Sequence, residues 1–204
     1  MNKIKIYLEH LSKRKLAEKA YVSNQLERIS NSEGEKIIFS ELQNLSAPKN
    51  IYINSNIPIG NGAVKINLIV VTEYGIFIIE SKDCFGTIHV NPESRTWKQV
   101  FNKKENFSFY NPIFRNKDRV AALESYLQLT SKDICKSYVV FNGCELSLPD
   151  DSSELNVFKS EDLFGKLQTA IENGSKVLTE EQIILIDNKL SKTVSWDNIV
   201  PTES

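Results

Sequence analysis

The chain has 204 residues, of which 41% are hydrophobic, so it can bury a substantial core and is expected to form one domain. A formal net charge of −1 excludes a generally basic protein that coats nucleic acid, and a polyanion would have to meet a local basic patch. The three cysteines, Cys84, Cys135 and Cys144, form no Cys-x-x-Cys pair, so neither a disulfide framework nor a zinc knuckle is predicted.

The N-terminal region is predicted to be a helical arm, residues 1–31. Residues 4–30 contain few helix breakers and carry a ragged apolar stripe that could pack on the body or on a second copy of the chain. The region lacks a continuous apolar signal core, and no run in the chain reaches membrane-spanning length. We therefore expect a cytoplasmic protein with no membrane partner.

A second helix is predicted from residue 32 to about residue 45. Ser32 and Glu35 have capping-box spacing, which gives Glu35 a purely structural interpretation. Glu35 also shares a helix face with Ile38 and Leu42. Because an unpaired carboxylate on an inward-facing stripe is costly, the same residue is a candidate for a functional site.

The most apolar stretch of the chain is residues 64–82, which follows a predicted strand over residues 50–57. Strong β-formers on both sides of Thr72-Glu-Tyr-Gly75 predict a hairpin near the middle of a sheet. Glu80 and Lys82 would share one face of the second strand. With an even loop, Asn67 would stand directly across from Glu80, whereas an odd loop or a bulge would re-aim it.

The remaining elements suggest an α/β (α+β) fold, with a mixed central sheet covered by helices. A core domain is predicted over residues 32–158, and C-terminal helices and a tail, residues 159–204, are expected to pack on it. The predicted elements are a hairpin (87–91 and 96–101), an irregular stretch (101–110), a helix capped by Asn111 (112 to about 129), a strand (136–142), a loop (144–154), an edge strand (155–158), and two helices (160–173 and 179–192).

Four of these residues form a candidate catalytic group: Glu35, Asn67, Glu80 and Lys82. Carboxylates and an amide supply the oxygen ligands that Mg²⁺ or Mn²⁺ prefers, and a lysine beside them could serve an attacking water or a phosphate. Metal-assisted phosphodiester hydrolysis is the reaction class that fits this set. The alternative is a cross-strand Glu–Lys pair beside a buried, satisfied asparagine.

A basic stretch lies between Arg95 and Arg119, which contains seven basic and two acidic residues. Aromatic residues interleave with this charge, a combination that suits nucleic acid. The alternative is a solvated basic loop with aromatics in the core. The candidate DNA contacts are Arg115, Arg119, Lys103, Lys104, Trp97 and Gln99, although Trp97 could equally be a core aromatic.

The ordered motifs resemble the nuclease-related domain (NERD) family of the PD-(D/E)xK superfamily. The matching strings are Gly34-Glu35, Gly75-Ile-Phe-Ile-Ile-Glu-Ser-Lys82, Gly86 with Ile88, Trp97 with Gln99, and Tyr110-Asn-Pro-Ile113. The resemblance implies a restriction-endonuclease-like fold and a divalent-metal nuclease that acts on DNA. It implies metal ligands at Glu80, the Ser81 carbonyl, Asn67 and Glu35, with Lys82 serving the water.

Three positions depart from that family pattern. Asn67 stands where the family has aspartate, which removes one negative charge from the implied metal site. Arg115 and Arg119 stand where the family tends to have glutamine and histidine. Three hypotheses follow: a nuclease-related domain with an impaired metal site, a non-catalytic nucleic-acid-binding relative, and an interaction module that forms a homo-oligomer through its N-terminal or C-terminal helices.

Overall fold

Thirteen helices and strands build the part of the chain that the computed structural model describes, residues 33–101, 105–131, 133–152 and 154–194. The predicted N-terminal arm, the capping residue Ser32 and the C-terminal tail beyond residue 194 lie outside those ranges. The helices are α1 (Glu33–Leu42), α2 (Pro112–Leu127), α3 (Ser160–Glu172) and α4 (Glu180–Leu190). The strands are β1 (Asn50–Ile59), β2 (Gly62–Thr72), β3 (Gly75–Asp83), β4 (Thr87–His89), β5 (Thr96–Val100), β6 (Asn106–Tyr110), β7 (Cys135–Asn142), β8 (Glu145–Ser147) and β9 (Val157–Lys159).

The larger sheet has five strands in the order β1-β2-β3-β7-β9. The first three strands pair antiparallel, and β3, β7 and β9 pair parallel, so the sheet is mixed, as predicted. The central strand β3 is buried along Gly75–Glu80, which explains its continuous apolar run. This α+β architecture is consistent with the restriction-endonuclease-like fold that the resemblance implies.

A smaller sheet, in the order β6-β5-β4-β8, corrects the sequence prediction at two places. Residues 106–110 form a strand although the stretch 101–110 was expected to be irregular, and residues 145–147 form a strand within the predicted loop. Both strands are short and largely exposed, and each is held by a partner distant in sequence or across a hairpin. The aromatic residues of 106–110 were a strand signal that the prediction missed, whereas residues 145–147 form a strand only through their distant partner.

Helices cover both faces of the larger sheet. Ile38, Phe39 and Leu42 of α1 pack with α3 against one face, in a cluster that includes Phe77 and Ile79 of β3. Leu123 of α2 packs with α4 against the other face. The C-terminal helices therefore bury apolar side chains against the same sheet as the core, although the predicted domain limits stay a prediction. No helix among the described residues is long and apolar enough to span a membrane.

The hairpin register follows the sequence prediction. Thr72 pairs with Gly75 around a two-residue loop, and the pairing continues to Leu68 and Ile79. Gly75 has φ +133°, and a side chain there would meet the carbonyl of Ile134 at 2.8 Å, so glycine is required by both conformation and space. The loop has an even number of residues, so Asn67 on β2 and Glu80 on β3 lie the same number of residues from the loop.

A disulfide between Cys84 and Cys144 corrects the expectation that the cysteines form no disulfide. The two residues are 60 positions apart in sequence, and β3 and β7 bring them together because these strands are parallel neighbours. Their pairing was invisible in the sequence spacing. Cys135 is free, and burial raises the pKa of its thiol to about 12, so it remains protonated at neutral pH.

Removing the disulfide should destabilise the protein. Disulfides typically stabilise the folded state by roughly 2–4 kcal/mol, and the chain-entropy model gives about 4 kcal/mol for cysteines that are 60 residues apart. We expect the double variant Cys84→Ser/Cys144→Ser to lose about that much free energy of unfolding in urea titrations without reductant. Dithiothreitol should destabilise the original protein and leave the double variant unaffected. Equal stability of the two proteins under oxidising conditions would contradict a structural disulfide.

Candidate functional site

The hairpin strands β2 and β3 separate at the candidate site. Their pairing ends at Leu68 and Ile79, while β2 stays paired with β1 as far as Gly62 and β3 stays paired with β7 as far as Asp83. Asn67 and Glu80 are therefore the first residues beyond the point of separation. We call this opening between the two strands the fork.

The peptide groups of β3 alternate between its two neighbours. The N–H of Ile76 donates to Ile134 on the β7 side at 2.8 Å, so even-numbered residues of β3 direct their peptide groups toward β7. Ser81 is odd-numbered, and its peptide groups consequently face the fork. This orientation agrees with the carbonyl role implied for Ser81. Its buried hydroxyl has no hydrogen-bond partner among the described residues.

Asn67 turns toward α1 rather than toward Glu80. Its Nδ2 donates to Oε1 of Glu35 at 2.8 Å, and Glu35 is only 6% exposed. The regular alternation of β2 side chains between the two faces of the sheet is interrupted here. Ile66 and Leu68 are two residues apart and would normally share a face, but they join clusters on opposite faces. Across the strand pair, Asn54 has a φ of +52°, a conformation that asparagine tolerates. A local irregularity shared by β1 and β2 thus re-aims Asn67.

Glu80 is the centre of a cation cluster. The carboxylate is 3% exposed and lies on the face that α2 covers. Arg119 Nη1 makes a short ion pair with Oε2, Lys82 Nζ lies 3.7 Å from Oε1, and Arg115 Nη1 lies 4.0 Å from the same oxygen. Lys82 shares the face of Glu80, as predicted. The helical spacing of Arg115 and Arg119 brings both guanidinium groups to one carboxylate.

Two asparagines position α2 so that its arginines reach Glu80. Asn111 is fully buried, caps the helix by accepting from the N–H of Ile113 at 2.9 Å, and donates to the carbonyl of Ser94 at 2.7 Å. Asn116 is fully buried and donates to Ser137 Oγ at 2.8 Å on β7. The sequence analysis predicted the cap but missed Asn116. The signal was a polar residue at helical spacing among the apolar residues Ile113, Val120 and Leu123 of that helix.

Gly34 is a second residue whose structural role the sequence analysis missed. A Cβ at this position would collide with the Asp83 carboxylate and with Asn142, at the ends of β3 and β7. Glycine therefore allows the start of α1 to approach the sheet closely. This close approach delivers Glu35 to Asn67.

Lys82 has a perturbed ammonium group. Burial lowers the pKa of Lys82, the Glu80 carboxylate opposes that effect, and the Arg115 and Arg119 guanidinium groups add to it. A buried lysine is deprotonated more readily than an exposed one, as a group that serves an attacking water requires. It lies beside the fork with its side chain 26% exposed.

The charge of the assembled groups does not suit a divalent cation. One carboxylate, Glu80, faces three cations, which gives a formal charge of +2, while Glu35 reaches Asn67 from α1 on the other face of the sheet. Sites for Mg²⁺ or Mn²⁺ are built from carboxylate and neutral oxygens. Among the described residues, no group of three or more His, Cys, Asp and Glu side chains could hold a metal. The residues as arranged do not fit such an ion, and the predicted cofactor stays a prediction.

The other residues predicted to contact DNA lie in different environments. Trp97 is 1% exposed, donates to the Asn91 carbonyl at 2.6 Å and packs against Phe141, so it is a core residue and its proposed contact with DNA is corrected. Gln99 is half-buried and donates to the carbonyl of Phe85 at 2.8 Å. Lys103 and Lys104 lie outside the described residues.

Comparison with known proteins supports a nuclease-related assignment. A family model described as the nuclease-related domain (NERD) matches residues 30–142, which is more than half of the chain. An uncharacterized protein of Bacillus anthracis is 29% identical over 157 residues, which cover 74% of this chain and 70% of that protein. No solved structure matches. The matched region contains α1, the fork, α2 and β7, and thus every residue of the candidate site.

Loss of the Glu80 carboxylate should destabilise the fold. Glu80→Gln leaves Arg119, whose side chain is 13% exposed, without a counter-charge, and breaking a buried ion pair from one side costs about 3–5 kcal/mol. Arg115→Ala is the matched control, because that side chain is 44% exposed and exposed pairs contribute about 0–1 kcal/mol. Urea denaturation measures both. Similar values for the two variants would contradict a dominant role for Glu80.

Proposed function

We propose, since this chain belongs to the nuclease-related domain family, that it acts on DNA by binding the phosphodiester backbone at the cation cluster, with metal-dependent hydrolysis suppressed by the local charge. The observation that carries this proposal is the convergence of Lys82, Arg115 and Arg119 on Glu80 at the fork. A single carboxylate neutralises one of these three cations, so the cluster retains positive charge for a phosphate.

The two arginines are suited to phosphate. A guanidinium group presents several N–H donors in a fixed plane that matches phosphate oxygens. Arg115 is partly exposed and lies with its Cζ 5.8 Å from the centre of the Tyr110 ring, which holds the side chain at the mouth of the fork. A phosphate there would accept hydrogen bonds from the same guanidinium groups that pair with Glu80. The arginines would thereby exchange part of their pairing with one anion for pairing with another.

Backbone binding of this kind should show a characteristic salt dependence. We expect Arg115→Ala/Arg119→Ala to weaken binding to a DNA oligonucleotide and to reduce the slope of log K against log salt by about 2, since each lost phosphate contact lowers the slope by about one. Fluorescence anisotropy in the presence of a chelator measures the slope without any contribution from a metal.

Lys176→Ala is the matched control for that experiment. Lys176 is 64% exposed and paired with Glu73, away from the fork, so its loss should leave the slope unchanged. An unchanged slope in the double arginine variant would show that the two arginines do not contact phosphate. It would favour the third hypothesis, an interaction module that assembles through its helices.

Metal-dependent cleavage is a second candidate function for a site with more carboxylate charge than this one, and the separation of β2 and β3 at the fork favours it. Strands that separate between a carboxylate and an amide leave room for a substrate phosphate, and the Ser81 carbonyl and the Lys82 ammonium group adjoin that room. In this candidate, Lys82 accepts or orients the proton of the attacking water. Asn67 and the two arginines are the three positions where the chain departs from the pattern of the family.

Restoring those three positions should create or raise cleavage. The variant Asn67→Asp/Arg115→Gln/Arg119→His makes the formal charge of the group more negative by three, so it should bind Mn²⁺ or Mg²⁺ measurably by calorimetry. It should also nick plasmid DNA with either metal and not with chelator. Adding Lys82→Ala should abolish nicking without abolishing metal binding. A variant that binds metal and stays silent on plasmid would remove cleavage as a candidate.

A further inference from the structure

A cleft adjoins the cation cluster and is formed by both sheets. It has a volume of about 330 Å³, within the range of ligand sites, which are typically about 300–1,000 Å³. Ser81, Lys82 and Asp83 of β3 form one wall. Phe141 of β7 and Cys84 adjoin this wall, and the smaller sheet contributes Ile88, Gln99, Phe107 and Phe109.

The aromatic wall combines an anchored ring with an exposed one. Phe109 is half-buried and packs edge-on against the core residue Trp97, with ring centres 6.3 Å apart. Phe107 lies two residues earlier on the same face of β6, pairs with Gln99 of β5, and is 57% exposed. A large apolar side chain on an ordered strand beside a cleft presents a ring surface to a ligand at little conformational cost.

Charged side chains lie beside this apolar wall on the side of the fork, since Lys82 and Asp83 both line the cleft. Lys82 lines the cleft with its Nζ 5.9 Å from the centre of the Phe109 ring and 3.7 Å from the Glu80 carboxylate. The cleft and the proposed phosphate site therefore share one residue. A ligand that fills both sites must carry a flat aromatic ring linked to an anionic chain, and a nucleotide within a nucleic-acid strand has this chemistry, with the base joined to the phosphates through the sugar.

We propose that the cleft binds an unstacked nucleobase of single-stranded DNA, with Phe107 stacking on the base while Lys82 and the arginines hold the adjoining phosphate. The inference rests on the proposed function and names its substrate class. In a duplex, both faces of each base are covered by its neighbours, whereas a single strand exposes those faces to aromatic side chains. The smaller sheet thus selects the form of DNA that the fork receives.

The test compares one oligonucleotide as a single strand and as a duplex, by fluorescence anisotropy with chelator present. Loss of a side chain that stacks on a base typically weakens binding by roughly 5- to 150-fold, so Phe107→Ala should reduce single-strand affinity by a factor in that range and leave duplex affinity unchanged. Phe107→Tyr, which keeps the ring, should retain affinity. Phe107→Leu, which keeps only apolar bulk, should resemble Phe107→Ala. Matching thermal melts would show that all variants are folded, as expected for an exposed position.

Several results would overturn the base-binding inference. Unchanged single-strand affinity in Phe107→Ala, an equal loss for the duplex, or full retention in Phe107→Leu would each exclude stacking in the cleft. The single variant Arg115→Ala separates this failure from failure of the proposed function. If Arg115→Ala, an exposed position whose loss leaves the protein folded, weakens binding while Phe107→Ala does not, backbone binding stands and the base site falls. If neither variant changes binding, both proposals fall.

Discussion

The carboxylate of Glu80 is the constraint on which the arrangement of the site depends. A charge that is 3% exposed requires compensation, and three cations from two elements supply it. Compensation from α2 is available only because Asn111 and Asn116 fix that helix against the sheet. The same carboxylate keeps Lys82 more basic than burial alone would leave it. Fold stability and site chemistry are therefore coupled through one side chain.

Much of the architecture could be predicted because local signals agreed with the tertiary structure. The β-branched runs around Gly75 and the Asn111-Pro112 helix start each specify one conformation, and both are confirmed. The even hairpin loop and the shared face of Glu80 and Lys82 follow from strand geometry alone. These features required no knowledge of distant partners, and that is why sequence reasoning found them.

The missed features depend on partners that are distant in sequence. Strand β8 exists through its pairing with β4, and the Cys84–Cys144 disulfide exists because β3 and β7 are parallel neighbours. The turn of Asn67 toward Glu35 depends on an irregularity shared with Asn54, which periodicity could not reveal. The disulfide also bears on the predicted cytoplasmic location, because such bonds are commoner in oxidising compartments. That location stays a prediction.

Substitutions at three positions of a shared fold can change whether its site binds a cation or an anion. An aspartate with neutral partners on α2 would leave an excess of carboxylate charge at the fork, which favours a divalent cation. Asn67 with Arg115 and Arg119 reverses the balance, and an anion becomes the better ligand. The strand pairing does not depend on this exchange, since the fork and the orientation of the Ser81 carbonyl arise from backbone hydrogen bonds. In the function proposed above, charge at the fork, rather than the fold, decides whether this domain cleaves the backbone or holds it.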